Sequence, residues 1–337
     1  MKPAHRCYSE WRGPRTQVSK PTAPLMMTID FLNGRLERAR LSLEGLSVGD
    51  AFGETFFVNP AVVDNLIAER ALASREWTFT DDTLMAMSIF SILRQHGHVE
   101  QDLLALNFAE RYDHTRGYGP AMHRLLREIR SGEDWSDLAP RLFEGQGSFG
   151  NGAAMRVAPL GAFFADDMKS VVSEAESSAV ITHAHDEAVA GAIAVAVAAA
   201  YAWQLREADS PTSKSEFLDL ILPWLAESEV RSKIRQARDM NENASVQFAV
   251  SVLGNGTGVS AQDTVPFALW CAASHLDNYE QAIWLTVSGL GDRDTTCAIA
   301  GGIVAVRTGV EGIPLAWRES RESLPTWPFD EVEIMTS

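Results

Sequence analysis

From Phe31 almost to the C-terminus, apolar residues recur at intervals of three and four, and no run of alternating apolar and polar residues is long enough to build a sheet. This pattern confines the 337-residue chain to an all-α fold. The first stretch carries Leu36, Ala39, Leu43 and Leu46 on one face, with Arg35, Glu37, Arg38 and Arg40 between them. The same spacing predicts helices over 82–96, 101–113, 119–131, 168–181, 186–206, 215–226, 264–275, 279–288 and 294–307. Glycine-rich stretches at Gly49–Gly53, Gly117–Gly119, Gly145–Gly152, Gly254–Gly258 and Gly289–Gly291 read as breaks between helices, because glycine supplies the positive φ that helix ends need.

The longest apolar run, Ala188–Trp203, falls short of the roughly 20 residues that span a bilayer and is expected to be a buried helix, so no membrane partner is expected. The N-terminus lacks the apolar segment of a secretory signal, and Cys7, Cys271 and Cys297 are too few and too scattered for a disulfide framework or a zinc knuckle. A reducing, cytoplasmic setting is the expectation. The formal net charge of -16 opposes nucleic-acid binding. Residues 1–28 stand apart: five cationic residues against Glu10 alone, four prolines and no periodicity. They are expected to form a flexible arm ahead of a folded domain over 29–337. Met26 and Met27 near its end are alternative starts, and Tyr8 and Trp11 among its cations suit docking onto an acidic partner.

Two segments concentrate hard oxygen donors at predicted helix starts, Thr80-Asp81-Asp82-Thr83 and Gly291-Asp292-Arg293-Asp294-Thr295-Thr296. The simplest reading of either is helix capping. Capping needs one such residue, however, and each segment sets two Asp and at least one Thr beside strongly apolar neighbours, among them Trp77, Phe79, Leu84, Ile299 and Ala300. Carboxylates crowded against an apolar core repel one another unless a cation joins them. An oxygen-only set selects Mg²⁺ or Mn²⁺ over zinc or copper, and four carboxylates meeting in space would hold two ions.

Six motifs then follow in a fixed order: Gly49-Asp50-Ala51-Phe52-Gly53, Thr80-Asp81-Asp82-Thr83, Arg116-Gly117-Tyr118-Gly119, Gly150-Asn151-Gly152-Ala153-Ala154-Met155-Arg156, Thr182-His183-Ala184-His185, and the segment from Gly291 to Thr296. In this order the chain resembles the ADP-ribosylglycohydrolases over about residues 33–310. The resemblance implies a compact single-domain orthogonal helix bundle with two Mg²⁺ or Mn²⁺ ions, hydrolysing the bond between ADP-ribose and a modified protein side chain. Arginine is taken first and serine second as the side chain released. Thr80, Asp81, Asp82, Asp292, Asp294 and Thr295 match the family's metal ligands. Gly117, Gly119, Ser148, Phe149, Gly150, Asn151 and Gly152 match its ADP-ribose cradle, with Phe143 and Phe149 placed to sandwich adenine. Glycines there let backbone N–H groups approach a pyrophosphate. His183 is assigned to ADP-ribose. His185 is left as a helix cap or core residue, and Arg156, which could equally be a structural ion-pair partner, is left out of the site. Two histidines without a third nitrogen or sulfur ligand do not make a zinc site.

The chain departs from the family where many members carry a Glu four residues after the second Gly of the first motif; here that position is Phe57. Glu54 is the nearest substitute and is grouped with Asp81, Asp82 and Asp294 as the catalytic set. Arg293 and Leu290 replace residues that are often Thr and Gly. The expected chemistry is an activated water attacking through an oxocarbenium-like state, with a carboxylate handling the proton. Two alternatives remain: an ADP-ribose-binding or immunity protein that occludes an ADP-ribosylating toxin through residues 1–28, which Phe57 favours and the Asp ligands oppose, and a di-metal phosphatase acting on free nucleotides.

Overall fold

The computed structural model describes residues 23–206 and 211–330. The docking role expected of the basic arm falls on residues outside the described ones, 1–22, while the first helix begins at Ala23, inside the expected arm. Sixteen α-helices follow among the described residues: α1 (Ala23–Glu54), α2 (Pro60–Ala68), α3 (Asp81–His96), α4 (Gln101–Arg111), α5 (Pro120–Arg130), α6 (Trp135–Gly145), α7 (Ala158–Phe163), α8 (Met168–Val180), α9 (Asp186–Gln204), α10 (Lys214–Ile221), α11 (Glu229–Asp239), α12 (Val246–Leu253), α13 (Ala261–Ser274), α14 (Tyr279–Val287), α15 (Arg293–Thr308) and α16 (Leu315–Ser320). Extended pairing among the described residues is limited to two isolated bridges, Trp77 with Arg321 and Gly150 with Ser260. The all-α expectation holds, and each predicted helix is present with its ends shifted by a few residues.

The core is organised around α15, whose residues from Thr295 to Arg307 are all buried. It packs most extensively along α1 and also meets α7, α9, α13 and α14. Helix α9, apolar enough by length and composition to cross a membrane, is buried over 72% of its apolar window. That matches the buried helix expected for Ala188–Trp203.

One expectation fails. Gly49–Gly53 is not a break, because α1 runs through it unbroken to Glu54. The glycines at 45, 49 and 53 instead face α15. A Cβ at Gly49 would lie 2.2 Å from the Cys297 carbonyl oxygen, and one at Gly53 would lie 2.2 Å from that of Arg293. Four-residue spacing puts all three on one side of the helix, so their lack of a side chain lets two backbones touch. The other glycine-rich stretches do separate helices. Close approach of α1 to α15 brings Asp50 beneath the start of α3, and that places the site.

Candidate active site at two helix N-termini

Thr80 caps α3, its hydroxyl accepting a hydrogen bond from the Asp82 amide at 3.3 Å. Behind it lies Asp50, fully buried, which accepts hydrogen bonds from the Thr80 amide (3.0 Å), the Thr80 hydroxyl (2.9 Å), the Thr83 amide (3.1 Å) and the Thr83 hydroxyl (2.5 Å). One carboxylate therefore satisfies several donors that a helix start leaves free. The Asp81 amide donates to the Arg116 carbonyl at 2.7 Å. The Arg116 guanidinium in turn reaches the Phe79 carbonyl and the Glu322 carboxylate, and Glu322 also accepts from the Phe79 amide. The chain after α16 is thus tied to the Thr80 loop, with the Trp77 amide donating to the Ser320 carbonyl and the Glu322 amide to that of Trp77.

The second acidic segment opens α15. Asp292 makes no side-chain cap bond; its Oδ2 accepts instead from Asn151 Nδ2 at 2.6 Å. Leu290, where the family often has glycine, is held at φ 57, and Gly291 at φ 65. A Cβ at Gly291 would lie 2.2 Å from the Asn255 carbonyl, so this turn requires glycine. The two segments meet: the Thr295 hydroxyl is 3.5 Å from Asp82 Oδ2.

Their carboxylates line one wall of a cavity of about 630 Å³. Asp81, Asp82, Asp292, Asp294 and Thr295 lie on that wall, while Thr80 sits just behind it. Gly117 and Gly119, together with Ser148, Phe149, Gly150, Asn151, Gly152 and His183, line the rest, and Phe143 stands at the rim, half exposed. Glu54 does not line the cavity. It ends α1 half-buried, with Asp50, Arg75 and Arg293 as its charged surroundings. Phe57 and Arg293, two of the three departures from the family pattern, pack on each other with the guanidinium 4.4 Å from the ring centroid. Arg293 also donates to the Phe56 carbonyl at 2.6 Å.

Electrostatically the wall is under-satisfied. Burial, and then repulsion from Asp50, holds Asp81 and Asp82 well above the usual aspartate range. Burial and then Asp292 do the same to Asp294, and burial raises Asp292 despite its bond from Asn151. Asp82 Oδ1 and Asp294 Oδ1 are buried without any hydrogen-bond partner. As the side chains stand, no three His, Cys, Asp or Glu groups among the described residues surround a single point. The donor set is spread over Asp and Thr oxygens from two helix starts.

The aromatic end is built differently. Phe143 and Phe149 have ring centroids 6.0 Å apart and planes 33° from parallel. A base stacked on both faces needs about 7 Å, two contacts of roughly 3.5 Å, so the rings must part by about 1 Å to accept one. Phe143 lies in a left-handed segment, with φ 49 there and 61 at Glu144, where α6 breaks after Pro140. His185 caps α9, accepting from the Glu187 amide, and meets Phe149 edge-on at 5.6 Å. Arg156 is not among the residues that line the cavity. It is fully buried and holds the Ser178 carbonyl and the Thr182 hydroxyl rather than a carboxylate.

Sequence reading passed over Asp50, Tyr118 and Val259. The first two stand inside motifs already singled out, so the signal was present. Tyr118 lines the cavity between two glycines. Val259 lines it from the loop before α13, in the left-handed region at φ 49.

An all-α scaffold whose cavity is lined by an acidic double helix start together with a glycine and aromatic cradle agrees with one family. The sequence model of the ADP-ribosylglycohydrolases matches residues 32–335, and the chain belongs to that family of hydrolases acting on ADP-ribose linkages. Among curated proteins it is 29% identical to the ADP-ribosylhydrolase ARH3 of Xenopus tropicalis over 85% of this chain and 91% of that one. It is 28% identical to ADP-ribosylhydrolase ARH3 of Homo sapiens over 89% and 92%. Among solved structures, an ADP-ribosylglycohydrolase-related protein complex superposes with a TM-score of 0.59 at 24% identity, covering 86% of this chain and 93% of that one, a likeness of fold.

Proposed function

We propose that the protein cleaves the glycosidic bond joining the distal ribose of ADP-ribose to a protein side chain, with Thr80, Asp81, Asp82, Asp292, Asp294 and Thr295 holding two Mg²⁺ or Mn²⁺ ions. The observation that carries this reading is the pair of buried, unpartnered oxygens Asp82 Oδ1 and Asp294 Oδ1 on a wall of mutually repelling carboxylates. Leaving such oxygens bare is costly, and hard divalent cations suit them. When bound, the ions supply neutralising charge and Lewis-acid activation of water.

The chain's own groups do the rest. Phe143 and Phe149 receive the adenine, and the Gly117–Gly119 and Gly150–Gly152 backbones receive the pyrophosphate without a Cβ in the way. Asn151 is held by Asp292 and Thr264, which fixes the turn against the acidic wall. His183 contributes no proton near neutral pH, because burial, with Arg156 adding to it, depresses its pKa to about 3. Proton transfer between the attacking water and the leaving side chain then falls to a carboxylate. Asp81, Asp82 and Asp294 line the cavity, whereas Glu54 would have to act from behind it.

The decisive assay is release of ADP-ribose from arginine-modified and serine-modified proteins side by side. The expected result is release from one of them that stops in EDTA and returns with Mg²⁺ or Mn²⁺. Full activity in metal-free buffer overturns the metal assignment; binding of ADP-ribose without turnover of either substrate favours a pure binding role.

A further inference from the structure

Arg156, Thr182 and His183 form a buried chain of hydrogen bonds that ends at the cavity. The Arg156 guanidinium lies 4.4 Å from the Phe108 ring centroid, and Nη2 donates to the Ser178 carbonyl at 2.8 Å and to the Thr182 hydroxyl oxygen at 2.9 Å. The same Thr182 oxygen is 2.7 Å from His183 Nδ1. Arg156 and Thr182 are fully buried, and His183 nearly so. On its far side the imidazole abuts the glycine turn: a Cβ at Gly150 would lie 3.2 Å from Nε2, and one at Gly152 2.9 Å from it.

Arginine carries donors and no acceptor, so the Thr182 oxygen must accept from it. The hydroxyl proton then has one acceptor within reach, Nδ1 of His183. Were Nδ1 protonated, that hydroxyl proton would be buried without a partner, which proteins avoid. We propose that Arg156 and Thr182 lock His183 as its Nε2–H tautomer, so that the cavity presents there a neutral hydrogen-bond donor selecting an acceptor oxygen of the ligand. Burial keeps the ring uncharged, and the tautomer follows from the second ring nitrogen's partner. Arg156 and Thr182 are positioning residues, acting through His183. The choice of ligand oxygen rests on the ADP-ribose reading above; the tautomer does not.

The test uses the full chain labelled with ¹⁵N-histidine, with His183 assigned through the signal lost in His183→Gln. Ligand-free wild type is expected to show a protonated Nε2 and a bare Nδ1. Thr182→Val is expected to lose that signature and to bind ADP-ribose about tenfold more weakly, the loss of one hydrogen bond. Thr182→Ser is expected to restore both, which a purely structural role for the methyl group would not do. A wild-type proton on Nδ1 overturns the proposal, as does a Thr182→Val protein that keeps the Nε2–H tautomer and wild-type affinity. If the tautomer behaves as expected while no variant binds ADP-ribose, the relay stands and the functional reading falls.

Discussion

Asp50 gathers the donors of Thr80 and Thr83 while contributing nothing to the cavity surface, and its burial raises its own pKa to about 6. Its place in the Gly49–Gly53 motif was visible in the sequence, but the donors it gathers from the start of α3 were not. The cavity-lining wall of Asp81, Asp82, Asp292 and Asp294 was legible because two Asp crowded at a helix start exceed what capping requires. Asp81→Ala and Asp294→Ala are expected to leave the fold intact and to cut turnover by about 100-fold or more, since even residues that only orient a metal ligand are worth about 10–100-fold; near-normal rates with unchanged metal content would make these residues caps and nothing more. Glu54→Gln, at a position off the cavity, is expected to change turnover by less than about tenfold. The pH dependence follows from the sign of the shifts. Folded-state pKa values raised above the unfolded ones favour the folded protein at low pH, and that contribution disappears as pH rises through the folded values. Metal-free protein should therefore lose thermal stability from about pH 4 through pH 6 and above, and added Mg²⁺ should restore more of it at the upper end, where it no longer competes with protons. Melting curves in EDTA and in Mg²⁺ across this range check it, and a metal effect that is flat with pH would contradict it.

Helix α1 shows how an element can mislead. Its glycines at 49 and 53 look like punctuation, yet with Gly45 their four-residue spacing makes a contact stripe, and only a partner helix distinguishes the two cases. Gly49→Val is expected to destabilise the protein by about 3 kcal/mol, because the new side chain must force α1 from the Cys297 carbonyl. Denaturant unfolding measures it, and a neutral effect would mean that the two helices slide apart freely. Helices α2, α6, α7, α11, α12 and α16 were not read from the sequence. Most are too short for the apolar period to repeat, and α2, α6 and α7 each contain a proline, which reads as a break. Helix α11 is different: Val230, Ile234 and Ala237 do lie at helical spacing, so its signal was there to be read.

For the molecule as a whole, the fold class was readable because one period dominates the chain, whereas the pairing of α1 with α15 depends on residues some 250 positions apart, whose proximity no local pattern encodes. A cavity running from carboxylates to aromatic rings makes a further demand. ADP-ribose should raise the unfolding free energy by about 2.7 kcal/mol at 100 times its Kd, and more than AMP does at the same concentration, since AMP lacks the second phosphate and the distal ribose that the glycine turns and the acidic wall would hold. Equal thermal shifts from the two ligands would confine binding to the aromatic end. The tie from Glu322 to Arg116 and Phe79 carries a consequence in time. At about 5–20 residues per second, a ribosome takes roughly 10–40 s to travel from Asp82 to Asp292, and the closing contact from Glu322 comes later still. Throughout that interval the first aspartates are exposed on an unfinished chain, and no prematurely ended product can assemble the wall they belong to.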